Sequence, residues 1–270
     1  MRNGEFHRPR AIAADSAEIY VIDTTGRVQV FTHAGEWLRS WNMPEADNGT
    51  PTGITFASKD RIVIPDTHYS RIMEITTDGE VLDTWGAFGT GESEFIYPTD
   101  VVIGPDGRYF ISEYGVDAER LHVFDADRKF VQQWGSHGDT AGNFSRAMSL
   151  TIVKDELFIA DTANHRIQCF TFDGVYRRAL GGLGAEPGQL RFPHDIARAP
   201  DDTLIVCEYG NNRISRYTCE GRCIGTLGQP GRGYGEFNTP RGVSVSPQGT
   251  VFVADTDNDR IQRFALEDFA

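Results

Sequence analysis

One short pattern returns six times along this chain, and it narrows the possible folds more than any other feature. Its anchor is an arginine, found at Arg27, Arg71, Arg120, Arg166, Arg213 and Arg260, every 44–49 residues. Each follows, after a short loop, a carboxylate that closes an apolar run: Asp23, Asp66, Glu113, Asp161, Glu208 and Asp255. A period of this length is that of a four-stranded propeller blade, and missing such a repeat would misassign the whole fold. Six copies predict an all-β, six-bladed β-propeller of four-stranded antiparallel blades in one domain over residues 1–270. The blades fall at about 4–44, 45–91, 92–141, 142–187, 188–234 and 235–270.

Within a unit, period-two alternation marks the strands, as in Arg108-Tyr109-Phe110-Ile111-Ser112. Asp-Gly pairs such as Asp106-Gly107, Asp78-Gly79 and Asp173-Gly174 mark the turns. Phe31, Phe124, Phe170 and Phe264 recur at one register position and are predicted to fill the space between blades. The outer strand is visible five times, ending at Trp41, Trp85-Gly86, Trp134-Gly135, Leu180-Gly181 and Leu227-Gly228. The sixth unit runs into Ala265-Leu266-Glu267-Asp268-Phe269-Ala270, so the sixth blade is expected to lack its outer strand. The strand that would complete it is expected upstream of Met1, covering an edge that otherwise invites foreign pairing. On that expectation a leader precedes Met1 and the compartment is extracytoplasmic rather than cytoplasmic.

Charge and apolar content limit the partners. The formal net charge is −13 among 270 residues, and no basic run offsets it, which argues against nucleic acid. No apolar stretch reaches the ~18 residues that a membrane span needs. The first residues, Met1-Arg2-Asn3-Gly4-Glu5-Phe6, contain no apolar core of a signal peptide. Four cysteines, Cys169, Cys207, Cys219 and Cys223, form no Cys-x-x-Cys pair. Cys219 and Cys223 flank a hairpin turn, where either a cross-hairpin disulfide or two free thiols would fit, so the redox compartment stays open.

The full unit reads Gly-x-Phe-x-x-Pro-x-x-Val, then Val-Ala-Asp-Thr-x-Asn-x-Arg-Ile-Gln-x-Phe. Thr162-Ala163-Asn164-His165-Arg166-Ile167-Gln168 and Thr256-Asp257-Asn258-Asp259-Arg260-Ile261-Gln262 carry it most clearly. This resembles the NHL repeat along essentially the whole chain. The resemblance implies the propeller fold strongly and the function weakly, because one fold hosts many unrelated sites. Proteins of this family include protein- and RNA-binding modules, peptidyl-hydroxyglycine lyases and many bacterial proteins of no assigned role.

Features present in every blade build the architecture. The six carboxylate–arginine pairs are therefore expected to be structural, joined in planar fashion. Function is expected where the copies differ. The residue after the repeat proline, at the mouth of the central channel, is in turn Arg10, Thr52, Thr99, Met148, His194 and Arg241. The next position carries Asp100, Ser149 and Asp195 in blades 3, 4 and 5. The loops on the same face carry Tyr114 and Tyr209 where other blades have threonine. Arg10, Asp100, Tyr114, His194, Asp195, Tyr209 and Arg241 thus form the expected binding face, and a protein or peptide is the expected partner. The resembled lyases hold zinc with three channel histidines; here only His194 stands at such a position, so that site is not expected. A metal-assisted lyase or hydrolase using Asp100, His194 and Asp195 is the alternative, and an RNA-binding module a third reading. No resident cofactor is predicted beyond such a channel metal ion.

Overall fold

The computed structural model describes residues 2–115 and 118–269. Five antiparallel four-stranded sheets and one three-stranded sheet follow each other in chain order. Each sheet is a meander, as in blade 4: strand a Ala147–Val153, b Glu156–Asp161, c Arg166–Thr171 and d Tyr176–Gly181. Blade 6 has strands a Gly242–Val245, b Thr250–Asp255 and c Arg260–Ala265. Among the described residues no strand pairs with the outer side of Arg260–Ala265. The a strands lie side by side round the channel, and that of blade 6 meets Pro9–Ala14 of blade 1 to close the ring. The Thr256 hydroxyl donates to the Pro9 carbonyl at 2.7 Å across this seam, and the Ala14 amide donates to Ser244 Oγ at 3.0 Å. The chain is a six-bladed β-propeller.

Apolar residues gather in six clusters, each between two consecutive blades. The alternation of strands b and c points every second side chain at one neighbour and the rest at the other. The d strand adds one large ring to the seam. Trp85, at the end of Val81–Trp85, packs on Phe95, Tyr109 and Phe124 of blade 3 with centroids at 6.1, 5.9 and 5.0 Å. Burial of one such ring contributes about 1.5–3 kcal/mol.

The Asp-Gly turns serve two ends. Gly174 has φ +79, open to glycine at no cost, and an added Cβ would lie 2.9 Å from the Trp134 ring of the preceding blade. Cys219 and Cys223 are free thiols, as are Cys169 and Cys207. The cross-hairpin disulfide is thus not formed: Cys219 Sγ contacts the Asp202 carbonyl at 3.2 Å instead.

Candidate functional site

The repeated carboxylate lies at the end of strand b and the arginine at the start of strand c, so the ladder brings them together. All six pairs are present: Asp23–Arg27 (3.5 Å), Asp66–Arg71 (2.8 Å), Glu113–Arg120 (2.6 Å), Asp161–Arg166 (2.7 Å), Glu208–Arg213 (2.7 Å) and Asp255–Arg260 (2.7 Å). Each of the six carboxylates is fully buried. In five of the six the guanidinium also reaches carbonyls of the preceding loop; Arg166, for example, donates to Asp139, Thr140 and Asn143 at 2.7–3.0 Å, while Arg71 pairs with the Glu45 carboxylate at 2.6 Å. Each pair therefore fastens the loop that enters its own blade.

The channel mouth is built differently. In blades 1, 3, 4 and 5 the strand register slips at the residue after the repeat proline position, placing a bulge at Arg10, Thr99, Met148 and His194. A bulge re-aims its side chain out of the pleat. At the mouth this leaves a cavity of about 460 Å³ lined by Arg10, His68, Tyr114, Arg146, Met148, His194, Tyr209 and Arg241 among others. Five of the seven expected face residues meet here. Arg241 stacks its guanidinium over the Tyr209 ring at 4.9 Å, and Arg146 over Tyr114 at 5.3 Å. Tyr114 and Tyr209 stand where blades 4 and 6 carry Thr162 and Thr256, whose hydroxyls donate to the next blade's proline carbonyl.

Positive charge is concentrated in this cavity. Among the described residues none of Arg10, Arg146 and Arg241 forms an ion pair, and no described carboxylate lines the cavity. Nε of Arg10 and Nε of Arg241 are buried without a hydrogen-bond partner. Burial, then Arg241 and Arg8, lower the Arg10 pKa. Burial, reinforced by Arg241 and Arg10, pushes His194 down to about 3, so its imidazole is neutral. His68 is lowered by burial and by Arg10. A cluster of like charges strained in this way is relieved by an anion.

Asp100 and Asp195 are placed elsewhere. They line a second cavity of about 240 Å³ deeper in the channel, with Ile12, Leu150 and Val243. Asp100 Oδ2 accepts the Leu150 amide of blade 4 at 2.8 Å, and Oδ1 accepts its neighbour Val101 at 2.9 Å. Asp195 Oδ2 accepts the Val243 amide of blade 6 at 2.7 Å; Oδ1 accepts the Ser149 hydroxyl at 2.6 Å and the Ile196 amide at 2.8 Å. These carboxylates bridge blades. Burial, then the charge of Asp195, pushes Asp100 up to about 8 against the pull of its two amide donors.

A channel metal is not supported by this donor set. Asp100 and Asp195 already accept amides and a hydroxyl that bridge blades, while His194 lines the mouth cavity rather than theirs. Among the described residues no group of three or more His, Cys, Asp or Glu side chains is arranged to hold a metal ion. The residues therefore do not fit the three-histidine zinc of the resembled lyases, nor the Asp100, His194 and Asp195 alternative. Arg146 and His68 are not among the face residues read from the sequence. Arg146 follows no repeat proline, and its only signal is a positive charge one residue before strand a of blade 4.

Residues 190–217 and 237–264, in blades 5 and 6, match the NHL repeat, so the propeller contains NHL repeats. It is 39% identical over 92 residues to rat (Rattus norvegicus) peptidylglycine alpha-amidating monooxygenase, across 32% of this chain and 9% of that protein. It is 30% identical over 131 residues to Xenopus laevis peptidyl-glycine alpha-amidating monooxygenase B, across 44% of this chain and 15% of that protein. The chain thus matches only a small part of these relatives. Among solved structures it resembles a streptogramin B lyase (TM-score 0.66, 15% identity, 97% of this chain and 84% of that one). It also resembles a Bacteroides thetaiotaomicron protein of unknown function (TM-score 0.76, 10% identity, 97% and 70%). At these identities the structural likeness concerns the fold. No helix is long and apolar enough to cross a membrane among the described residues.

Proposed function

We propose that this propeller is a non-catalytic binding scaffold that takes the anionic end of a peptide or protein partner into its channel mouth. The observation that carries this reading is the set of three guanidiniums, Arg10, Arg146 and Arg241, that form no ion pair among the described residues and line a cavity to which no described carboxylate contributes, on a chain of net charge −13. Unpaired arginines in a cavity select carboxylate or phosphate oxygens, each charged hydrogen bond contributing about 1.5–3 kcal/mol. Tyr114 and Tyr209 hold two of the guanidiniums in place and offer flat amphipathic walls to a peptide chain. Lyase or hydrolase chemistry through a channel metal is not favoured, because no group of three or more metal-binding side chains gathers among the described residues. RNA binding gains little from one pocket of this size in an acidic surface.

Fluorescence titration with peptides ending in a free carboxylate, compared with their C-terminal amides, tests the proposal. The free acids are expected to bind at least tenfold more tightly. Arg10→Met combined with Arg241→Met is expected to remove that preference while leaving the circular dichroism spectrum and melting temperature unchanged. Equal binding of acid and amide by the parent protein, or a preference that survives the double variant, overturns it.

A further inference from the structure

Tyr114 and Tyr209 follow the repeat carboxylate directly, where the other four blades carry Thr24, Thr67, Thr162 and Thr256. The residue before the repeat proline also turns aromatic in these two blades alone, as Tyr97 and Phe192. Tyr97 stacks on Tyr114 with centroids at 5.3 Å, and Phe192 meets Tyr209 edge-on at 6.2 Å. Each tyrosine is thus braced by its own blade and carries an arginine of the next, Arg146 over Tyr114 and Arg241 over Tyr209. The mouth therefore holds the same wall twice, two blades apart. The arginines come from different register positions: Arg146 stands before Ala147, the residue in place of the repeat proline, and Arg241 follows Pro240. The repeat by itself does not generate this duplication. The walls differ in depth. Arg241 is half-buried and its Nε is buried without a partner, as is that of Arg10, whereas Arg146 is exposed. Glu119 accepts the main-chain amide of Arg146 at 2.7 Å, and the Arg146 guanidinium itself forms no ion pair among the described residues. Round the ring between the walls, Met148 and Ala163 of blade 4 and Phe192 and His194 of blade 5 line the same cavity. This strip carries no charge, because burial keeps the His194 imidazole neutral.

We infer that the mouth reads two carboxylates at once, the α-carboxylate and the side chain of an acidic C-terminal residue on the partner peptide. The inference rests on the anion-binding reading above and names the ligand class for it. The α-carboxylate goes to the deeper pair, Arg10 and Arg241; the side-chain carboxylate goes to Arg146 at the rim; the methylenes between them lie on the uncharged strip. One carboxylate offsets one of the three clustered cations, and an acidic terminus offsets two. A guanidinium held flat on an aromatic ring presents its planar fork to a carboxylate with less motion left to lose. The strip between the walls suits an aliphatic spacer, since Met148, Ala163 and Phe192 carry no polar side-chain group and the Thr162 hydroxyl already donates to the Pro193 carbonyl at 2.6 Å.

The probes are four peptides of one sequence, ending in glutamate or glutamine, each as the free acid and as the C-terminal amide, titrated into the full chain. The glutamate free acid is expected to bind about tenfold more tightly than the glutamine free acid, the scale of one charge-assisted hydrogen bond. Arg146→Met is expected to erase that difference. Tyr114→Thr installs the residue that four sister blades carry at this position, so the blade keeps its fold, and the ratio of glutamate to glutamine affinity is expected to fall at least threefold. A merely structural role for Tyr114 would weaken all four peptides alike and leave the ratio unmoved. Free acids that bind more tightly than amides, with glutamate and glutamine alike, overturn this inference and leave the anion-binding reading standing. Equal binding of acids and amides overturns both. A glutamate preference that survives Arg146→Met and Tyr114→Thr puts the second carboxylate on other groups and also overturns the inference.

Discussion

Asp195 shows how a single residue is decided by its surroundings rather than its type. In sequence it stands beside His194 at a channel position and reads as a candidate ligand. In the folded chain its two oxygens take one hydroxyl and two amides, one of them from blade 6. Asp195→Ala strands those donors in a buried site, at a cost of about 1–3 kcal/mol each. The expected outcome is a melting temperature lowered by several degrees with peptide binding at the mouth retained in the folded fraction; calorimetry and titration check it. His194 offers a pH test. Its folded pKa, pushed down to about 3, lies below the unfolded value of ~6.5. The stabilising contribution is therefore complete above ~6.5 and is lost as pH falls toward 3. Asp100 acts in the opposite direction: its raised pKa costs stability as pH climbs from ~4 to about 8. The two are separated by comparing single variants. Between pH 7.5 and pH 5, His194→Gln is expected to lose less stability than the parent chain in denaturant melts. A variant that tracks the parent at both pH values would contradict the buried, neutral imidazole.

At the scale of strands and turns, Trp85 measures what the outer strand contributes. It joins blade 2 to three aromatic rings of blade 3. Trp85→Ala is expected to cost about 3–5 kcal/mol, read as a lower denaturant midpoint. The repeat made these elements legible. Trp85, Trp134 and Leu227 end the strand that period and turn chemistry predict, and Trp41 and Leu180 stand one residue before its end. The site was legible only in part, for two physical reasons. A bulge at strand a turns alternate positions apart, so Arg10 and His194 face the mouth while Asp100 and Asp195, one residue later, face the next blade. Simple alternation from the proline does not reveal which of two adjacent residues is extruded. Arg146 and His68 come from loops, whose paths no period constrains.

Over the whole molecule, a ring of like units separates two kinds of work. Six buried carboxylate–arginine pairs and six interblade clusters hold the ring. Positions that break the repeat gather three cations at one end of an acidic protein. Salt dependence follows from that placement. Affinity for an anionic peptide is expected to fall only modestly between 50 and 500 mM salt, because the partly buried arginines are screened less than surface charge. A steep loss of affinity over this range would point to diffuse surface attraction instead.

The most direct test sets two arginine changes side by side. Arg166→Met removes a repeated pair, and Arg10→Met with Arg241→Met empties the mouth of two charges. Melting temperature and affinity for a free-acid peptide are measured for both. The division of work described here predicts that the first variant melts several degrees lower yet binds normally at low temperature, while the second melts like the parent and binds at least tenfold more weakly. If instead the first variant loses binding while fully folded, or the second keeps it, then the repeated positions carry the function and the proposed division is wrong.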